Sequence, residues 1–180
     1  MSQFCARKLL VATPLIGEGN FERTVVLLLE HTADGAIGLV LNRPSELAVA
    51  KLLSGWENVG GVLFSGGPVS PASLMGLARE WPGGAEMGWT RLLGDIGSVN
   101  LSLGASQLGG GTGPRLFFGC AGWKADQLEG ELDSGAWFVV DPEPGDVLTD
   151  NPEGLWSAVL ARQPNELSWF ANYPDNLRAN

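Results

Sequence analysis

The stretch from Phe21 to Asn42 most constrains what this chain can become. Thr24-Val25-Val26-Leu27-Leu28-Leu29 and Ile37-Gly38-Leu39-Val40-Leu41 are apolar, partly β-branched runs, and Thr32-Ala33-Asp34-Gly35 lies between them. An Asp-Gly step accepts positive φ and, between apolar runs, is a strong hairpin signal. The segment is therefore expected to form two antiparallel strands joined at Asp34-Gly35. Neither run alternates apolar with polar, which predicts strands covered on both faces. A chain of 180 residues can supply that cover as a single domain spanning residues 1–180, since at this length roughly 70% of the unfolded surface is buried.

The flanking sequence predicts more strands than helices. Leu9 to Ala12, Val62 to Phe64, Val99 to Leu103, Arg115 to Gly119 and Ala136 to Val140 read as strands, with Leu74 to Ala78 returning antiparallel. Pro44 is expected to stop the second hairpin strand, and Leu47, Leu52 and Leu53 to form a short helix ending at Gly55. Ala125 to Leu132, Glu153 to Arg162 behind Asn151-Pro152, and Asn165 to Phe170 read as helices. A helical turn is expected near Ser106 to Leu108, and Pro142 to Gly145 reads as a break. Glycine, at 26 of 180 residues, is about twice the usual ~7% and argues against a helical bundle. The expected class is α+β: an antiparallel or mixed sheet curling into a partial barrel, with short helices around it.

Charge is placed unevenly. Residues 1–125 carry nine acidic and nine basic side chains, so the whole net charge of −9 resides in 126–180. From Asp126 through Glu153 there are nine acids and no base. Such a surface repels phosphate and speaks against direct nucleic-acid binding through the C-terminal third. No run approaches the ~18 apolar residues of a membrane span. The N-terminal apolar stretch, interrupted by Pro14 and Gly17, is too short for a secretion signal, so a cytoplasmic location is expected.

The candidate chemistry is sparse. Cys5 and Cys120, with His31 as the single histidine, cannot complete a four-ligand zinc set. Carboxylate-bound magnesium stays open on composition alone, and no cofactor is expected. Cys120 is expected between a strand and a helix, where a thiol can be activated, but its base would have to be His31, which no spacing brings near. Glu129 and Glu131, at i and i+2, lie about 200° apart on a helix and cannot act as one acid–base pair. Ser65-Gly66-Gly67-Pro68 and Gly109-Gly110-Gly111-Thr112-Gly113 match no nucleotide-binding pattern.

Several segments together resemble a known family. Leu9 to Pro14, Asn20 to Val26, Glu30-His31, Gly35 to Pro44, Gly66-Gly67-Pro68-Val69, Gly113-Pro114, Ala121-Gly122-Trp123, Gln127 to Glu131 and Gly135-Ala136-Trp137 are similar, in order, to the YqgE/AlgH family (UPF0301). The resemblance runs from residue 9 to about 170. It implies a bifurcated sheet that includes a small β-barrel, surrounded by helices, and no established activity, catalytic residue or cofactor. The chain departs from the family at Cys120, where tyrosine is usual, which excludes that thiol as a family nucleophile. Lys124-Ala125-Asp126 replaces a Pro-Gly segment, and Met75 to Arg79 lacks a histidine often found there. The transcriptional-regulator label on the AlgH branch has no DNA-binding motif behind it in this sequence.

The reading that fits best is a non-catalytic binding or regulatory protein acting on a protein partner or a small ligand. Its alternatives are a hydrolase or transferase with a carboxylate- or metal-assisted site assembled in the fold, and a regulator that contacts nucleic acid directly. Oligomeric state is not legible. If a functional surface exists, it is expected where Asn42, Arg43, Pro44, Gly66, Gly67, Pro68, Gly122, Trp123, Gln127 and Glu129 converge, because strand ends and loops present polar groups. The competing expectation is an internal lock, Arg43 pairing with Glu129 or Glu131. For nucleic acid the expected outcome is no electrophoretic retardation of duplex DNA at low micromolar protein in about 150 mM salt.

Overall fold

The computed structural model describes residues 5–16, 19–108, 113–164 and 166–174, so the glycine run at 109–112 lies outside the described residues. Strand β1 (Leu9–Ala12), β2 (Val25–Thr32) and β3 (Gly35–Val40) form an antiparallel trio. The hairpin expected at 21–42 is present, with Thr32 paired to Gly35. Its apolar runs fail to alternate because both faces are covered. Leu9, Val11, Val25, Leu27 and Leu39 pack into one core, while Leu10, Val26, Leu28 and Val40 pack into another. Successive side chains on a strand point to opposite faces, so each run feeds two cores at once.

Beyond the trio come β4 (Pro44–Ala48), β5 (Val62–Ser65), β6 (Val69–Arg79), β7 (Trp89–Leu93), β8 (Ile96–Val99), β9 (Arg115–Lys124) and β10 (Trp137–Val140). They join one mostly antiparallel sheet in the order β10-β1-β2-β3-β9-β6-β8-β7, with β4 on β5 and β5 parallel to β9. The sheet curls into a half-barrel. The helices are short: α1 (Gln127–Asp133), α2 (Pro144–Val147) and α3 (Leu155–Ala161), with a 3-10 segment at Glu166–Asn172. Helix α3 seats Leu155, Trp156, Val159 and Leu160 in the first core, and the Trp156 indole N–H donates to the Ala12 carbonyl at 2.9 Å. No helix among the described residues is long and apolar enough to cross a membrane.

Strand β9 makes the sheet fork. Its C-terminal half, Ala121 to Lys124, pairs with β3, whereas its N-terminal half pairs with β5 and β6. Gly66 fills the gap between the branches: its N–H donates to the Phe118 carbonyl at 2.8 Å, and its carbonyl accepts from Val40 N–H at 2.9 Å. Gly119 bends β9 there with φ +67. A Cβ on Gly119 would lie 2.4 Å from the Gly67 carbonyl oxygen, and one on Gly66 would lie 2.4 Å from that of Gly119. Two backbones touch where a side chain cannot be.

Several local expectations are corrected. Pro44 opens β4 instead of ending a strand, since among the described residues β4 pairs only with β5 and the first position of an edge strand needs no N–H. Leu47 is therefore in a strand, and helix formation is limited to a 3-10 turn at Val49–Lys51. The strand expected at Val99 to Leu103 is Ile96–Val99, because the Asn100 carboxamide accepts from Ser102 N–H and turns the chain. Strand β9 runs through to Lys124, so Cys120 sits in mid-strand and not at a helix start. The Pro142 to Gly145 break contains helix α2, held by a capping box between Glu143 and Asp146. Asn151 caps Gly154 N–H at 3.1 Å, and α3 begins only at Leu155.

The acidic stretch receives its bases from outside. Arg162 forks onto Asp146 through two bonds of 2.6 Å each, and Lys8 pairs with Asp141. The fork raises the Arg162 pKa above its ordinary value.

Gly119→Ala combines an unfavourable φ with a backbone overlap and is expected to cost roughly 2–4 kcal/mol or prevent folding. Gly60→Ala, where nothing lies within 4 Å of the added carbon, is expected to change stability by less than about 0.5 kcal/mol. Urea denaturation of the two variants measures the contrast.

Candidate functional site

Beyond β3 the chain keeps a ladder partner through a side chain. Asn42 is buried; its carboxamide oxygen accepts from Val25 N–H and its NH2 donates to the Arg23 carbonyl, each at 2.9 Å. The side chain thus imitates one more rung between the hairpin strands. Its neighbour Arg43 is tied through its own carbonyl to Ser65 N–H at 2.8 Å. The Arg43 guanidinium donates to the Glu22 carbonyl and, at 3.4 Å, to that of Asn42. Burial pushes its pKa below the ordinary arginine value, opposed by the charge of Glu22.

Arg43 forms part of the wall of two clefts. One, of about 240 Å³, is shared with Glu22, Arg23, Asn42, Glu153, Trp156 and Ser157. Arg23 lies over the Trp156 ring at 4.5 Å in this cleft. The other, of about 390 Å³, places Arg43 and Pro44 opposite Ser65, Gly67 and Pro68, with Gly19, Asn20 and Val40 closing it. The structure therefore brings together Arg43, Pro44, Gly67 and Pro68, with Asn42 and Gly66 in the backbone that supports them.

The other expected members lie elsewhere. Gly122 is exposed on β9 opposite Ile37, and Trp123, Gln127 and Glu129 gather around α1; none of these lines either cleft. Arg43 pairs with neither Glu129 nor Glu131, because those carboxylates have other partners. Glu131 accepts from the indole N–H of both Trp123 and Trp137 at 2.8 Å and from the Gln127 carboxamide at 3.0 Å. Phe21 packs against both indoles, with centroids 6.2 and 5.6 Å away. Glu129 lies 3.0 Å from Nε2 of buried His31, whose Nδ1 accepts from Cys5 N–H at 3.0 Å. An accepting Nδ1 assigns the proton to Nε2, which donates to Glu129.

A hydrogen bond within its own residue, and then His31, hold the Glu129 carboxyl below its ordinary pKa. A depressed acid stabilises the fold above the usual carboxylate range and loses that contribution as the pH falls through it. Cys120 is half-buried against the core, and burial pushes the Cys5 thiol up. The two His31 ring nitrogens are engaged by the Cys5 N–H and by Glu129.

Sequence reasoning missed Asn20, Ser65 and Trp156 as cleft residues, which only tertiary folding brings to Arg43. It also missed Glu131 as the hub of α1. A signal existed for that hub, because two buried indoles each need an acceptor. Glu131→Ala would orphan both N–H groups and is expected to cost about 2–4 kcal/mol, with Glu131→Gln milder. Tryptophan fluorescence during urea unfolding measures both.

Residues 9–168 match the AlgH-like family model. A UPF0301 protein of Streptomyces avermitilis is 49% identical over 178 residues, covering 94% of this chain and 92% of the relative. A crystal structure of a Corynebacterium diphtheriae protein superposes with a TM-score of 0.83 at 30% identity, over 96% of this chain and 94% of that one. The solution structure of the AlgH protein from Pseudomonas aeruginosa gives 0.71 at 29% identity, over 97% and 96%.

Proposed function

The chain belongs to the AlgH-like family (UPF0301), and from that premise and the geometry around Arg43 we propose a non-catalytic binding protein of the cytoplasm. Its working surface is the face where Asn42-Arg43-Pro44 meets Gly66-Gly67-Pro68. The observation that carries this reading is the state of the Arg43 guanidinium. An arginine has five N–H donors; two of Arg43's are used on carbonyl oxygens, and three have no partner among the described residues. A half-buried cation with spare donors on the wall of two clefts is arranged to meet something else. Asn42 and Arg43 divide the roles: the first holds the backbone, the second is displayed by it. Two free cysteines accord with a cytoplasmic setting. A regulatory role would follow from what is bound there.

Protein-observed NMR against a library of small polar fragments tests the reading. Amide shifts are expected to cluster at residues 42–44 and 65–68, and shifts confined to other faces would contradict it. Arg43→Ala is expected to remove the shifts while costing only about 1 kcal/mol. Asn42→Ala, which strands the Val25 N–H and Arg23 carbonyl, is expected to cost about 2–3 kcal/mol in the same urea titration.

A further inference from the structure

We propose that the larger of the two Arg43 clefts is an oxyanion site that seats a carboxylate or phosphate group of a small molecule; the inference rests on the reading of this face as the binding surface. The two clefts that Arg43 lines differ in charge. Glu22 and Glu153 line the smaller cleft, so an incoming anion meets two carboxylates. No described carboxylate lines the larger cleft.

What stands there instead are donors. The Asn20 carboxamide and the Ser65 hydroxyl make no hydrogen bond to the described residues and line the same cleft as Arg43. A carboxamide NH2, a hydroxyl and an arginine with spare N–H groups, all on residues of one cleft, are a donor set for an oxygen-rich anion. The planar fork of an arginine matches carboxylate and phosphate oxygens two at a time. Half-burial strengthens the attraction, since the same charge acts through less water.

The cleft wall is backed by the sheet. Gly67 has φ +144, and a Cβ there would meet the Cys120 carbonyl at 2.4 Å, so its backbone lies directly against β9. Pro44 and Pro68 add apolar rings on the rim. A volume of about 390 Å³ is within the range of small-molecule sites.

The test titrates the full chain with inorganic phosphate and, separately, with succinate at constant ionic strength, following the Ser65, Gly66 and Gly67 amide resonances. Both anions are expected to saturate. Arg43→Gln should weaken them by about tenfold or more, Arg43→Lys by less, and Ser65→Ala by a fewfold. Unchanged Leu27 and Leu39 resonances show that each variant keeps its core, and Ser65→Ala supplies a probe that leaves the Arg43 carbonyl bonds intact. Saturation by phosphate alone assigns the site to phosphorylated ligands, and by succinate alone to carboxylates; either supports the proposal. If neither anion moves these resonances while neutral fragments do, the oxyanion inference falls and the binding reading stands. An equal response in Arg43→Gln also overturns it. If neither fragments nor anions act on this face, both fall.

Discussion

The fold depends on one place where two backbones touch without side chains between them. At the fork, Gly66 takes a rung from each branch while Gly119 turns β9 from one partner to the other. A Cβ on Gly66 would stand on the Gly119 carbonyl, and one on Gly119 would stand on the Gly67 carbonyl. Hydrogen bonding and steric exclusion act together here: the donor–acceptor pairs hold the strands at a distance that only glycine permits. From this contact the sheet separates into the branch that carries the trio and the branch that carries β5 to β8.

The same junction positions the Arg43 face. Gly66-Gly67-Pro68 leaves the fork directly, and Asn42-Arg43-Pro44 leaves β3 one residue beyond Leu41, whose N–H is still paired with Val25. Cleft walls built from strand ends inherit the rigidity of the sheet and need no helix to set them. On the opposite side, α1 is held by carboxylates facing inward: Glu131 on two indoles and Glu129 on His31. Acidic residues that would read as a solvated surface are, at these positions, acceptors for donors the core cannot otherwise satisfy.

What was legible in the sequence followed the strength of the local signal. The hairpin around Asp34-Gly35 and the strand at Leu9–Ala12 could be read because turn chemistry and apolar continuity are local properties. Strand β9 could be read only as far as Gly119, since a positive-φ glycine looks like an ending unless the partner beyond it is known. Pro44 misled for a related reason, as a missing N–H matters only if the neighbouring position is occupied. Of the expected site, the Arg43 and Gly67 loops meet because both adjoin β3 and β9. The α1 residues are drawn away by tryptophans and a histidine whose demands are tertiary. The base-free run from Asp126 to Glu153 was visible as a count, but its pairing with Lys8 and Arg162 required the fold.

The position of β1 between β2 and β10 has a consequence for how the chain is made. Leu9 pairs with Leu27 on one side and with Val140 on the other, and the helix over this part of the core spans Leu155–Ala161. A ribosome releases the hairpin and β1 long before it releases their cover. Until then the growing chain carries an apolar trio with an open edge, the kind of surface on which unfinished proteins pair with each other. Closing it joins residues far apart in sequence, a slow step. Through most of its synthesis the nascent chain therefore presents that apolar edge uncovered.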